Sequence, residues 1–168
     1  MAAVIVEVAN AVVSELNDKT NNTFSQTFNA KRSWADWSEK LEEEDKLSVD
    51  VVPTQRGYTE TDATSRASLE HTIQIDIGVR QRFGPTKQTT DKGRIDRVQI
   101  DGMVLLLQEI AEHFMVDRLA SYDSARWEST RILGTYNKKM LRELRQYFGF
   151  VRLQFEVDKD LPSERDTV

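Results

Sequence analysis

The chain has 168 residues, 39% of them hydrophobic, and a formal charge of −5. A chain of that length buries about 70% of the surface its unfolded form exposes, enough for one real core, so a single domain is expected. The acidic balance argues against a surface that grips phosphate throughout, and the lack of cysteine removes disulfides, thiolate metal sites, iron–sulfur clusters and cysteine nucleophiles.

The opening MAAVIVEVANAVVSEL has an apolar run but no basic stretch before it, and Glu7, Asn10 and Ser14 interrupt it, so no signal peptide is expected. No run approaches the roughly 20 apolar residues that span a bilayer. The expectation is a soluble protein with no membrane partner. Ile5, Val8, Ala9, Val12 and Leu16 fall at helical spacing and predict a helix over about Ala2 to Leu16. Asn17-Asp18 and Asn21-Asn22 break it. Thr23 to Arg32 then reads as a first strand with Phe24 and Phe28 on one face. The acidic piece SWADWSEKLEEEDK reads as a loop with a helical turn, in which Trp34 and Trp37 either cap the core edge or anchor a neighbouring subunit.

Leu47 to Val52 predicts a second strand that Pro53 stops, because proline cannot donate to the ladder. Pro53 to Ser65 is polar, contains Gly57 and reads as a long surface loop. From Ala67 to Phe83, Leu69, His71, Ile73, Ile75, Ile77 and Val79 share one face, while Thr72, Gln74, Asp76, Gly78 and Arg80 share the other. Period 2 over that length predicts a long antiparallel strand with one wet face. Gly84 to Gly93 reads as a second polar loop. A long helix follows from about Asp96 to Leu119, with Met103, Leu106, Leu107, Ile110 and Phe114 as its buried stripe. Trp127 to Leu133 predicts a fourth strand, Asn137 to Arg145 a short polar helix or turn, and Tyr147 to Val157 a fifth strand. The pattern predicts an α+β fold, a mostly antiparallel sheet of about five strands with two main helices on one face. The domain is expected to span residues 1–157, and residues 158–168 to form a charged, fraying tail.

Catalytic patterns are missing. The sequence has no GxxxxGK[ST], GxGxxG or GxSxG, so the backbone cradles of nucleotide sites and the nucleophile elbow are absent. Its two histidines are His71, which faces inward on the long strand, and His113. Glu109, His113 and Asp117 lie four apart on one helix face and could hold a divalent metal for a small hydrolase. A single imidazole flanked by carboxylates is ordinarily a solvated, weakly paired face. The acidic run Glu42 to Asp45 lacks the glycine turn of a calcium loop and reads as a solvated connection. Cations are scattered, with Lys31-Arg32, Arg80, Arg82, Lys87, Lys92, Arg94 and the stretch Lys138 to Arg145, and no aromatic interleaving marks a base-stacking platform. The expectation is no enzyme, no metal and no cofactor.

Across almost the whole chain up to Val157, the sequence resembles the tail terminator or neck proteins of tailed bacteriophages. The resemblance lies in the order and spacing of AVVSELN, FSQTFNAKRSW, LSVDVVP, EHTIQIDIGVRQRF, RVQIDGMVLLLQEIAEHF and MLRELRQYFGFVRLQFEV. The acidic LEEEDK insert and the charged tail depart from it. It implies a small α+β subunit that forms a ring, usually a hexamer, between the tail tube and a head-completion, stopper or connector protein. The resemblance further implies that genomic DNA passes through the ring's channel and that the protein resides in the virion after assembly in the host cytoplasm. Other head-completion, adaptor or tail-tube proteins share this profile. The resemblance supplies no catalytic residues. Trp34, Trp37, Arg56, Tyr58, Gln74, Asp76, Arg80, Lys87 and Lys92 are the expected partner or ring contacts, because they lie on the two loops, the wet strand face and the tryptophan segment.

Overall fold

The fifteen-residue alternation that dominates the sequence is the middle strand of the sheet in the computed structural model, which describes residues 3–20, 22–34, 37, 39–60, 68–84, 97–116 and 119–160. For residues 55–60, 68–70, 116 and 158–160 it describes the backbone only. In chain order the elements are helix α1 (Val4–Asn17), strands β1 (Ala30–Arg32), β2 (Leu47–Glu60) and β3 (Ser68–Arg82), helix α2 (Arg97–Val116), strand β4 (Ala125–Gly134), helix α3 (Lys138–Leu144) and strand β5 (Gln146–Asp160). The strands form one sheet in the order β1-β2-β3-β5-β4, antiparallel except for β1 beside β2. The fold is α+β, with a five-stranded, mostly antiparallel sheet.

The core lies between the two longer helices and one face of this sheet. On α1, Val8, Ala9, Val12 and Leu16 are buried as the helical spacing predicts, while Val4 is buried and Ile5 only half-buried; on α2 Met103, Leu106, Leu107, Ile110 and Phe114 are buried, as predicted. They meet Ile73, Ile75, Ile77 and Val79 of β3 and their cross-strand partners Phe155, Leu153 and Val151. Each such fully buried aliphatic side chain contributes about 1.5–3 kcal/mol relative to exposure. The helices are clasped laterally: His113 Nε2 lies 3.0 Å from Glu15 Oε1, and the Ser25 hydroxyl and backbone N–H both donate to Glu109 Oε2.

Several expectations are corrected. Pro53 does not end β2, which continues to Glu60, so more than half of the expected Pro53–Ser65 loop is strand. Proline is tolerated there because β1 pairs only as far as Val51, leaving that edge without a ladder partner among the described residues, and because the register shifts between Pro53 and Gln55. The first strand is only Ala30–Arg32; residues 22–29 cross the helices instead. Side chains satisfy that segment, with Gln26 donating to the Gly102 carbonyl and Asn17 bonding both the N–H and the C=O of Ala30. Strand β5 continues past Val157 to Asp160. Residues 61–67, 85–96 and 161–168, which include the rest of the first loop and most of the second, lie outside the described residues.

Candidate interaction surfaces

The second face of the sheet was expected to be wet, but at its middle it is dry. Asp76, Gly78 and Arg80 of β3 are buried there, because the chain between β1 and β2 folds back across the sheet. Trp37 lies on Gly78, stacks on Phe148 at 5.4 Å between centroids, and receives the Arg80 guanidinium on its ring at 5.4 Å. Phe148 in turn stacks on Phe150, giving an aromatic row on this face.

Residues 39–46 then form a strap at the end of the sheet. Gln146, fully buried, accepts from the Leu41 N–H at 2.8 Å and donates to the Glu39 carbonyl at 3.2 Å. Arg82 donates to the carbonyls of Leu41 and Glu42 and pairs with Glu44 at 2.9 Å. Asp45 reverses the chain at φ 59, donates its N–H to the Arg82 carbonyl and accepts from the Gly84 N–H. The acidic insert is therefore a fastened strap whose Glu42 and Glu43 remain exposed, rather than a freely solvated connection.

Buried charges on this face are paired with one another. Arg80 Nη2 donates to Asp50 Oδ2 at 2.8 Å, and Ser48 Oγ donates to the same oxygen. Arg152 makes a two-pronged contact with Asp76, its cross-strand partner, at 2.8 and 2.9 Å. That hydrogen bond raises the Arg152 guanidinium above its ordinary pKa, against the opposing effect of burial. Neither Asp50 nor Arg152 is singled out by a motif, yet each alternates with apolar neighbours in LSVDVV and FVRLQFEV, which places it on the far side from the helix core.

The expected contact residues are thus dispersed. Trp34 is 67% exposed, with Arg32 over its ring at 5.9 Å. Trp37 is half-buried against Gly78 and Phe148, Gln74 is half-buried, and Asp76 and Arg80 are buried in ion pairs. Arg56 and Tyr58 belong to β2, with only their backbone described, while Lys87 and Lys92 lie outside the described residues. Of the helical trio, Glu109 and His113 are engaged with Ser25 and Glu15, and Asp117 lies outside the described residues. Among the described residues no three His, Asp or Glu side chains converge as a metal site, and no helix is long and apolar enough to cross a membrane.

One cleft borders the strap and another lies beside Trp37. The first, of about 570 Å³, is lined by Lys31, Lys40, Lys46 and Arg80 interleaved with Glu39, Glu42 and Glu43, so neither charge sign dominates it. The other, about 530 Å³, lies between Trp37, Phe148 and α3 residues Met140 and Leu144. A different kind of surface lies at the sheet's edge. Trp127, Ile132 and Leu133 of β4, with Tyr136 just beyond it, are large apolar side chains between 37% and 45% exposed. Sequence reasoning passed over them because Trp127 and Ile132 look like ordinary core positions of a strand. No protein-family profile matches the chain, and a search of curated proteins finds no relative.

Proposed function

We propose that the chain is a structural protein of a tailed-phage virion: a tail terminator that assembles as a hexameric ring on the head-facing end of the tail tube. There it joins the tube to the neck or connector and lets the genome pass. Its work is binding and closure, with no catalysis and no cofactor, and it is assembled in the host cytoplasm. The observation that carries this reading is how the polar groups are used. Asp50, Asp76 and Glu15 are spent on Arg80, Arg152 and His113 inside the fold, whereas large apolar side chains stand exposed along one edge. A rigid block with inward-paired charges and an adhesive edge suits a subunit that exists to pack against others. The order of sequence motifs adds the particular virion position.

Purified tail tubes provide the test. Added protein is expected to cap one end as a ring visible by negative-stain imaging and to halt tube growth at a defined length. Tubes that keep growing in saturating excess of the protein, with no density at either end, would sink the terminator reading. Binding to heads instead of tubes would move the protein to a head-completion or adaptor role.

A further inference from the structure

The β4 edge is self-complementary, and we propose that the free protein dimerises through it, with a second copy of this chain laid antiparallel against β4 about a twofold axis at Thr130. The inference draws on the same exposed edge as the ring reading but does not depend on that reading, and it describes the protein before it meets a tail.

Strand β4 carries two irregularities against β5, one between Trp127 and Ser129 and one between Ile132 and Gly134, so Glu128 and Leu133 are its extra residues. The shifts decide which side chains share a face. Trp127, Thr130 and Ile132 pair with Phe155, Leu153 and Val151 and so lie on the helix-covered side. Arg126, Ser129, Arg131 and Gly134 pair with Glu156, Gln154, Arg152 and Phe150 and lie on the other. Directly opposed residues of an antiparallel pair point to the same side. Laid against its own copy, β4 meets that condition in a register with Thr130 opposite Thr130, Ser129 opposite Arg131, Trp127 opposite Ile132, and Arg126 opposite Gly134. Each extra residue is then accommodated without breaking the match.

The chemistry agrees with the geometry. The register sets the indole of Trp127, 37% exposed, against Ile132, 39% exposed, twice over. Bulges and charges on an edge strand ordinarily guard it from pairing. Here Arg126 is held by Glu156 and Glu128 by Gln154 within the same copy, which draws both toward the sheet. Arg131 has no ion-pair partner among the described residues, and the register brings it beside Glu128 of the second copy. No strand pairs with the outer edge of β4 among the described residues, so its backbone groups are available to a ladder.

The test uses the full chain, which has no cysteine of its own. Light scattering over a concentration series should give a species of twice the 19.4 kDa chain mass, whose dissociation constant rises at least about tenfold in Ile132→Lys. Opposed residues across an antiparallel ladder have Cα atoms about 4.5–5.5 Å apart, within the range a disulfide spans. Thr130→Cys should therefore close an intermolecular bond under mild oxidation, while Lys31→Cys, exposed on the opposite edge of the sheet, should not. A monomer at every concentration with no Thr130→Cys link overturns the proposal. So does an oligomer that Ile132→Lys leaves intact, or one that Lys31→Cys links as readily. If Ile132→Lys fails to fold, the two cysteine variants decide alone. A ring on tail tubes with no Thr130→Cys dimer overturns this inference and leaves the terminator reading standing; a linked dimer that never caps a tube does the reverse.

Discussion

The indole of Trp37 lies directly on Gly78: a Cβ added at Gly78 would sit 2.2 Å from Trp37 Cζ3 and 2.4 Å from Cη2. Those separations are far inside van der Waals contact, so the glycine in the middle of β3 is a seat for the tryptophan. Gly78→Ala should displace Trp37 and uncover Arg80 and Phe148, at a cost of about 1–3 kcal/mol, the usual range for overpacking. Trp37→Ala should cost stability alone but make Gly78→Ala nearly neutral in the double variant. Denaturant melts of the four proteins check this coupling, and strictly additive losses would show that the seat does not matter.

The buried pair of Asp50 and Arg80 holds β2 to β3 at 2.8 Å, with Asp50 fully buried and Arg80 5% exposed. It is imperfectly satisfied, since Asp50 Oδ1 and Arg80 Nε have no hydrogen-bond partner among the described residues. Asp50→Ala strands a buried cation and is expected to cost about 3–5 kcal/mol. Replacing both, Asp50→Leu with Arg80→Met, should recover most of that loss, because an apolar pair needs no compensation for desolvation. Lys31, which lies 3.8 Å from Asp50 but is largely exposed, should change stability by less than about 1 kcal/mol when made alanine. A double variant as unstable as Asp50→Ala would show that the pair contributes more than charge balance.

Burial pushes the Tyr147 phenol well above its ordinary pKa, and its hydroxyl donates to the Thr135 carbonyl. The folded form therefore holds this proton more tightly than the unfolded form. Below about pH 10 both states keep it and the stabilisation is complete. As pH rises further the unfolded chain releases the proton first, so stability should fall steadily through the alkaline range. Tyr147→Phe should flatten that decline. Part of it should persist through Tyr122, whose phenol is raised by burial and by Glu7 beside it. Ultraviolet titration of the phenols gives the direct check, and a Tyr147 that ionises alongside exposed tyrosines would refute the assignment.

What was legible in the sequence, and what was not, follows from how many faces each element buries. Strand β3 and helix α2 were readable because Ile73, Ile75, Ile77 and Phe114, Ile110, Leu106 each mark one face against one core. The extension of β2 was hidden because residues after Pro53 lack an apolar period. The length of β3 was the available clue, since a partner ending at Val52 would leave its pairing from Ile75 back to Leu69 uncovered. The dry second face was hidden for another reason. Asp76 and Arg80 look solvated in isolation, and it is the return of Trp37 onto Gly78 and the pairing with Arg152 and Asp50 that remove them from water. The β4 edge was the converse, because Trp127 and Ile132 look buried by composition and are exposed by topology.

Gln146 offers the sharpest separation between fold and strap. Its amide bonds both the Leu41 N–H and the Glu39 carbonyl while packed out of solvent at the start of β5. Gln146→Leu keeps the side chain's approximate bulk and apolar stem but leaves both backbone groups without their partner, a loss of about 1–3 kcal/mol when such groups stay buried. The strap has a cheaper escape, because Glu39 is exposed and the segment can lift into water. Hydrogen exchange should therefore accelerate about tenfold or more at Leu41, and proteolysis should begin within residues 39–46, while exchange in β3 and β5 stays near the parent rate. Arg82 would still hold Glu44 and the carbonyls of Leu41 and Glu42, so the lifting should be partial until Arg82→Ala is added. Uniform acceleration across the sheet in Gln146→Leu would instead mean that the strap and the sheet open as one unit.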